Sequence, residues 1–132
     1  MILSVGRLRE PFADDVAHYE KLLSRYARLE VVEVSDDARL ARHVPDRTHA
    51  VVLDERGVAR DSLTLSRWLE ERRQSGRDLA FVIGGPFGVE LTRRDESMSL
   101  GPLTLPFQLA RVVLLEQLFR AHKILAGEPY HH

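Results

Sequence analysis

The sequence predicts an α/β layer fold built on a small, mainly parallel sheet flanked by helices. Short apolar runs of strand character alternate with longer segments of helical periodicity. At 132 residues and 15.1 kDa the chain has the length of a single domain, residues 1–132. Surface scaling gives roughly 7,000 Å² folded against roughly 22,000 Å² unfolded, so about two thirds of the surface can be buried without disulfides or a structural metal. The fourth apolar run ends in Gly84-Gly85-Pro86-Phe87-Gly88, at the strand end where parallel α/β folds bind ligands.

The elements follow in order. Ile2 to Val5 reads as a short buried strand. Arg9 to Arg28 has helical periodicity, with Phe12, Val16, Tyr19, Leu22, Leu23 and Tyr26 on its apolar side and Pro11 in its first turn, where a missing donor costs little. Leu29 to Val34 is a second strand. Ser35 is placed to cap a brief helix from Asp36 to about His43, which Pro45 ends. His49 to Leu53 is the third strand, and Asp54-Glu55-Arg56-Gly57 is a turn signal. Leu63, Leu65, Trp68 and Leu69 lie on a helix capped by Ser62 or Thr64 that ends near Ser75-Gly76. Leu79 to Ile83 is the fourth strand, and a short helix spans about Val89 to Arg94. A loop carrying Met98, Leu100, Leu103 and Leu105 follows. The last helix runs from about Pro106 to Ala126 and is ended by Gly127, leaving the tail Glu128-Pro129-Tyr130-His131-His132. Four or five short strands make a small sheet, and an exposed apolar edge or face favours a homodimer.

Composition removes several function classes. There is no Cys, so there is no disulfide framework, thiolate metal site or Cys nucleophile. The six His fall in no HExxH or paired spacing, so no metal site is expected, and no G-x-S-x-G elbow is present. Nineteen Lys plus Arg balance twenty Asp plus Glu, a net charge of -1, so an RNA partner needs a local patch or a pre-organised target. No charged leader precedes a long apolar run, and no stretch of about 18 apolar residues exists. The chain reads as soluble and cytoplasmic, with no membrane or DNA partner.

Chemistry is sought at two strand ends, Leu53-Asp54-Glu55-Arg56-Gly57 and Ile83 to Gly88. Glycines let a backbone approach a ligand closely, or they simply make a tight strand-to-helix turn. The spacing is neither GxGxxG nor a P-loop. Ser99-Leu100-Gly101-Pro102-Leu103-Thr104-Leu105-Pro106 is apolar yet kept out of regular structure, so its backbone groups need partners, either in a ligand such as an adenine ring or in the protein itself. On the last helix Glu116 and Arg120 are four apart on one face, as a surface pair or as the lining of a pocket. Tyr130-His131-His132 is a frayed tail or a nucleobase contact.

Four linked blocks carry a resemblance: Phe81 to Gly88, Ser99 to Pro106, Leu109-Ala110-Arg111-Val112 through Glu116-Gln117-Leu118-Phe119-Arg120-Ala121, and Gly127-Glu128-Pro129-Tyr130-His131. Together they closely resemble the ribosomal RNA large subunit methyltransferase H family, small knotted methyltransferases of the SPOUT class. The resemblance is strong over residues 79–132 and looser over the rest. It implies a SPOUT-type α/β knot, a C-terminal trefoil that periodicity does not reveal. It implies a homodimer that uses S-adenosylmethionine to methylate N3 of a pseudouridine in 23S ribosomal RNA of the large subunit, on assembled ribosomes. Recognition by the ribosome surface reconciles RNA work with a net charge of -1.

Carried over residue by residue, the family's cofactor cleft falls on Leu53, Gly84 and Gly85, and on Ser99, Leu100, Gly101, Pro102, Leu103, Thr104 and Leu105. Its catalytic and substrate residues match Glu116, Arg120, Tyr130 and His131. The expected roles are Glu116 accepting or orienting the N3 proton, Arg120 holding a phosphate or base oxygen, and Tyr130 packing on the base. The chain departs from the family at Phe107, where His is usual, at Gly101, where Ser is frequent, at Phe119, where Tyr is usual, and at His132, where Lys or Arg is common. The segment from Ser35 to Arg47 is shorter than is typical. Rival readings are a knotted methyltransferase with another RNA target, a non-catalytic ribosome-binding protein of the same fold, and a small-molecule methyltransferase.

Overall fold

The computed structural model describes residues 1–6, 11–84 and 93–129. Its elements run β1 (Ile2–Val5), α1 (Phe12–Leu23), β2 (Val31–Val34), α2 (Asp37–His43), β3 (His49–Ala59), α3 (Ser62–Gln74), β4 (Leu79–Ile83), β5 (Glu96–Ser99) and α4 (Phe107–Leu125). The five strands form one sheet in the order β2-β1-β4-β3-β5. Every neighbouring pair is parallel, so all strand carboxyl ends lie along one edge.

Alternation along the strands divides the core into two layers. Ile2, Val51, Phe81 and Ile83 face one side and pack with Val16 and Leu23 of α1, Leu65, Trp68 and Leu69 of α3, and Leu114, Leu115 and Leu118 of α4. Leu3, Val52, Ala80 and Val82 face the other side, which is covered by Leu40 of the short α2 and by Val44. Strands buried on both faces read as mostly apolar runs, which is why β1 and β4 begin and end where periodicity placed them.

The structure differs from the sequence reading at several local points. Helix α1 is shorter, Phe12–Leu23, because Ser24 to Ala27 close in tight backbone hydrogen bonds instead. The caps are aspartates, not hydroxyl residues. Asp36 accepts from the Arg39 N–H at 2.8 Å in place of Ser35, and Asp61 accepts from the Thr64 N–H at 2.7 Å in place of Ser62 or Thr64. In both cases the carboxylate stands where its oxygen reaches the third helical N–H. Leu63 is 45% exposed, although its spacing put it with the apolar face of α3. Arg93 and Arg94 lie outside any helix, and the rest of the short helix expected at Val89 to Arg94 lies outside the described residues.

Two larger differences concern β3 and β5. Asp54 makes the expected turn, accepting from the Arg56 N–H at 3.0 Å, but β3 resumes pairing as far as Ala59. Its register is interrupted between Leu53 and Val58, both of which lie opposite Met98. Glu96–Ser99, read as loop, is a fifth strand. Its sequence Glu-Ser-Met-Ser has no β-branched or aromatic residue, and side chains rather than propensity hold it in place. Glu96 accepts from Trp68 Nε1 at 3.0 Å and Arg60 Nη2 at 3.0 Å and pairs with His49 Nε2 at 2.5 Å. The Asp95 carboxylate accepts from the Ala50 N–H at 2.8 Å.

Two outcomes are expected. A Cβ on Gly57 would stand 2.5 Å from the Ser97 carbonyl carbon and 2.7 Å from the Met98 nitrogen, so neither backbone can yield cheaply. Gly57→Ala should cost about 3 kcal/mol, the upper range for over-packing, read from urea unfolding. The second outcome is acid sensitivity. The Ala50 N–H holds Asp95 below its usual 3.8, and in Glu96 burial is outweighed by the hydrogen bonds from His49, Trp68 and Arg60, which bring it below 4.5. These carboxylates bind fewer protons folded than unfolded, so their contribution is full above the ordinary values and is lost as pH falls through the lowered ones. Burial, aided by Arg73, lowers His122 from 6.5, so below that pH the unfolded chain takes up a proton that the folded chain resists. Stability measured against pH should decline below 6.5 and fall more steeply below 4.5.

Candidate functional site

A cleft of about 680 Å³ opens at the carboxyl ends of β3, β4 and β5. Its floor is apolar: Leu53 ends the regular part of β3, Ile83 and Gly84 end β4, and Met98 comes from β5. The segment from Leu100 to Phe107 forms one wall, and Ala110 of α4 closes the back. Leu103 stands in this wall with 76% of its surface exposed, an apolar side chain left open to solvent at the cleft.

The polar rim is supplied by Asp54, Glu55 and Arg56. Arg56 grips both oxygens of Asp54, with Nε at 3.2 Å and Nη2 at 3.1 Å, and Arg94 stands 3.6 Å away. The Arg56 hydrogen bonds hold the Asp54 carboxyl below its usual 3.8, so it stays anionic at neutral pH. Glu55 accepts from the Thr104 hydroxyl at 2.6 Å, tying the β3 turn to the loop across the mouth of the cleft.

The loop is shaped by its own backbone. The Ser99 hydroxyl donates to the Gly101 carbonyl at 2.9 Å and accepts from the Gly101 N–H at 3.0 Å. Gly101 has φ +129°, a conformation that residues with a Cβ rarely adopt, so here the glycine is used for its backbone freedom. Phe107 lines the cleft and lies against Gly6, which has φ +92°. A Cβ on Gly6 would meet the Phe107 ring at 2.9 Å, so the ring covers the carboxyl end of β1.

The expected cofactor residues are therefore mostly assembled. Leu53, Gly84, Leu100, Gly101, Leu103, Thr104 and Leu105 all line one cleft. Ser99 is 6% exposed and sets the turn behind the wall, and Pro102 is exposed outside the lining. Gly85 lies outside the described residues. Asp54, Glu55, Met98, Pro106, Phe107 and Ala110 join the lining without having been chosen individually. The Leu53 to Gly57 strand end was the available signal for the first two. Phe107 was marked only by its departure from the family pattern.

Glu116 and Arg120 form a separate constellation. Arg120 donates from Nε at 3.0 Å and from Nη2 at 2.7 Å to one oxygen of Glu116, and Gln117 Nε2 donates to the other at 2.7 Å. The pair is half-buried and outside the cleft lining: Glu116 lies six residues beyond Ala110, about 9 Å along the helix. Tyr130 and His131 lie outside the described residues. The chain just before them is anchored, because Glu128 accepts from Tyr26 Oη at 3.0 Å and Lys123 Nζ at 2.6 Å.

Gly6→Val is expected to lower stability by about 2 kcal/mol, since a Cβ in a left-handed backbone costs about 1–2 kcal/mol and here also meets the ring. Phe107→His retains a ring over Gly6 and should leave the melting temperature nearly unchanged.

The comparisons with known proteins agree with this geometry. The family model described as "Predicted SPOUT methyltransferase" matches residues 1–131. A protein of Solidesulfovibrio magneticus named "Ribosomal RNA large subunit methyltransferase H" is 44% identical over 150 aligned residues, covering 99% of this chain and 97% of that protein. Its namesake in Rubrobacter xylanophilus is 45% identical, covering 98% and 96%. The one in Acetivibrio thermocellus is 38% identical, covering 98% and 97%. Aligned lengths above 132 mean that these relatives carry residues this chain lacks. Among solved structures, TrmJ from Z. mobilis ZM4 shares the fold, with a TM-score of 0.52 at 11% identity, covering 99% of this chain and 71% of that one. A five-stranded parallel sheet, a cleft at its carboxyl edge and near full-length identity thus place this chain in the SPOUT methyltransferases, in the ribosomal RNA large subunit methyltransferase H family.

Proposed function

We propose that this chain transfers the methyl group of S-adenosylmethionine to N3 of a pseudouridine in 23S ribosomal RNA, acting on assembled ribosomes as a cytoplasmic homodimer. The observation that carries the reading is the cleft: in a chain of this family, the glycine-ended β4 and the loop from Ser99 to Pro106 meet at the carboxyl edge of a parallel sheet. The C-terminal trefoil knot belongs to the same proposal.

The residues of the cleft suit this cofactor. Leu53, Ile83, Leu100 and Leu105 offer apolar surface to an adenine ring, and the loop backbone offers donors and acceptors to its edge. The exposed carboxylate of Glu55 suits ribose hydroxyls. When bound, the cofactor supplies an electrophilic methyl group. Methyl transfer is an in-line displacement, so the protein's part is mainly alignment of acceptor nitrogen and donor carbon. Glu116 accepts or orients the proton of the acceptor nitrogen, Arg120 holds a phosphate or base oxygen, Tyr130 packs on the base, and His131 contacts the substrate beside it. The anchored Glu128 launches the tail that carries the last two residues.

Two features support a homodimer. Val58, Leu63 and Leu103 are 54%, 45% and 76% exposed, apolar side chains that a second copy would cover. Glu116 and Arg120 lie outside the lining of their own cleft, and in a homodimer a second copy would supply such a pair. Among the described residues no helix is long and apolar enough to cross a membrane.

The deciding experiment is nucleoside mass spectrometry of large-subunit ribosomal RNA from cells with and without the gene, followed by purified protein and S-adenosylmethionine added to the deficient ribosomes. One methylated pseudouridine should vanish and return. A different methylated nucleoside would redirect the substrate assignment, and no change at all would overturn ribosomal RNA as the substrate. Leu103→Glu should weaken S-adenosylmethionine binding more than tenfold by calorimetry, while exposure of the site keeps stability within about 0.5 kcal/mol of the parent.

A further inference from the structure

The hydrogen bonds around Glu116 do not stop at its own helix. Gln117 uses Nε2 to donate to Glu116 at 2.7 Å, and its Oε1 accepts from the Ser62 hydroxyl at 2.7 Å. Ser62 is the first residue of α3, whose N-terminus is fixed independently by the Asp61 cap. The orientation of the Gln117 amide is set by this chain of donors, because flipping it would put the amide oxygen against a carboxylate oxygen. Arg120 loads the other Glu116 oxygen with two donors. Both carboxylate oxygens are thereby held, one from within α4 and one through Gln117 from α3.

This arrangement exceeds what a surface ion pair needs. An i, i+4 pair such as Glu116–Arg120 forms on any exposed helix and leaves the carboxylate free to rotate. Here the second oxygen is pinned by a neutral relay anchored in another helix, and all of it is half-buried. Adjacent residues on a helix point about 100° apart, so Gln117 reaches Glu116 only because Ser62 turns its amide back along the helix.

We infer that Ser62 and Gln117 are positioning residues for methyl transfer, holding the Glu116 carboxylate in one orientation beside Arg120. The inference rests on the role given to Glu116 in the preceding section. Removing the Gln117 N–H lets one Glu116 oxygen turn, with no change at the cofactor cleft. Removing the Ser62 hydroxyl frees the amide to turn away and does the same to a smaller degree.

The test compares Gln117→Met and Ser62→Ala with the parent protein. Gln117→Met keeps the length and packing of the side chain. Carbon-13 NMR relaxation follows the mobility of the Glu116 side chain in the absence of RNA. Steady-state methylation of deficient ribosomes supplies kcat and KM for S-adenosylmethionine. The Glu116 carboxyl should become more mobile in Gln117→Met and, to a smaller degree, in Ser62→Ala. With it, kcat should fall about tenfold in Gln117→Met and less in Ser62→Ala, while KM for S-adenosylmethionine should stay within twofold. Unchanged Glu116 mobility and kcat in Gln117→Met overturn the inference, as does a loss of activity carried by KM for the cofactor. If the parent protein methylates no ribosomal RNA, the functional reading falls by itself, and the relaxation data still decide whether the relay holds Glu116.

Discussion

Everything functional in this molecule hangs from the burial of α4. Leu114 and Leu115 are 0% exposed and Leu118 is 5% exposed, wedged between the sheet, α1 and α3. Side chains of this kind stabilise by about 1.5–3 kcal/mol each when buried. The same helix buries Arg111 to 5% exposure, which is tolerable only because Glu33 of β2 accepts at 2.9 Å and Glu20 of α1 at 3.2 Å. That double pair fixes the rotation of α4 about its axis. With the axis and rotation set, Phe107 and Ala110 must face the cleft, Gln117 must face α3, and Lys123 and Glu128 must meet near Tyr26.

The site is consequently divided along one rigid element rather than gathered on one loop. Its apolar part lies at the strand ends, with Gly84 in the lining after β4 and Gly101 turning the wall. Its polar part lies farther along α4 and takes its shape from a hydrogen-bond chain into α3. A helix is well suited to carry both, since residues on it keep fixed separations that a loop would not. In the proposed reaction this separates grip on the donor from handling of the acceptor.

At the opposite end of the sheet a second polar group serves the fold. His49 stands between Glu96 at 2.5 Å and Arg72 Nη1 at 3.2 Å, Trp68 reaches the same carboxylate, and Arg60 lies over the Trp68 ring at 5.2 Å. Together with the close approach of Gly57 to Ser97, this holds β5 at the sheet edge despite its low strand propensity. Met98 of β5 then forms part of the cleft floor, so a network distant from the ligand site still sets its shape.

Much of this was legible in the sequence. Strands buried on both faces read as mostly apolar runs, broken in β1 only by the small Ser4, so β1 and β4 were readable to the residue, and α4 showed its face and its Gly127 stop. The glycine run and the awkward proline-bearing loop located the cleft, and the family blocks identified the chemistry. What local pattern does not encode is which distant polar partners meet. Nothing near Glu96 in the chain announces His49, 47 residues away, and nothing near Arg111 announces Glu33, 78 residues away. The strand β5, the closeness of Gly57 to another backbone and the Ser62–Gln117–Glu116 chain all depend on such distant meetings. Periodicity records whether a residue is buried, because burial repeats with the geometry of the element. Pairing of individual polar groups has no period, and only the folded arrangement decides it.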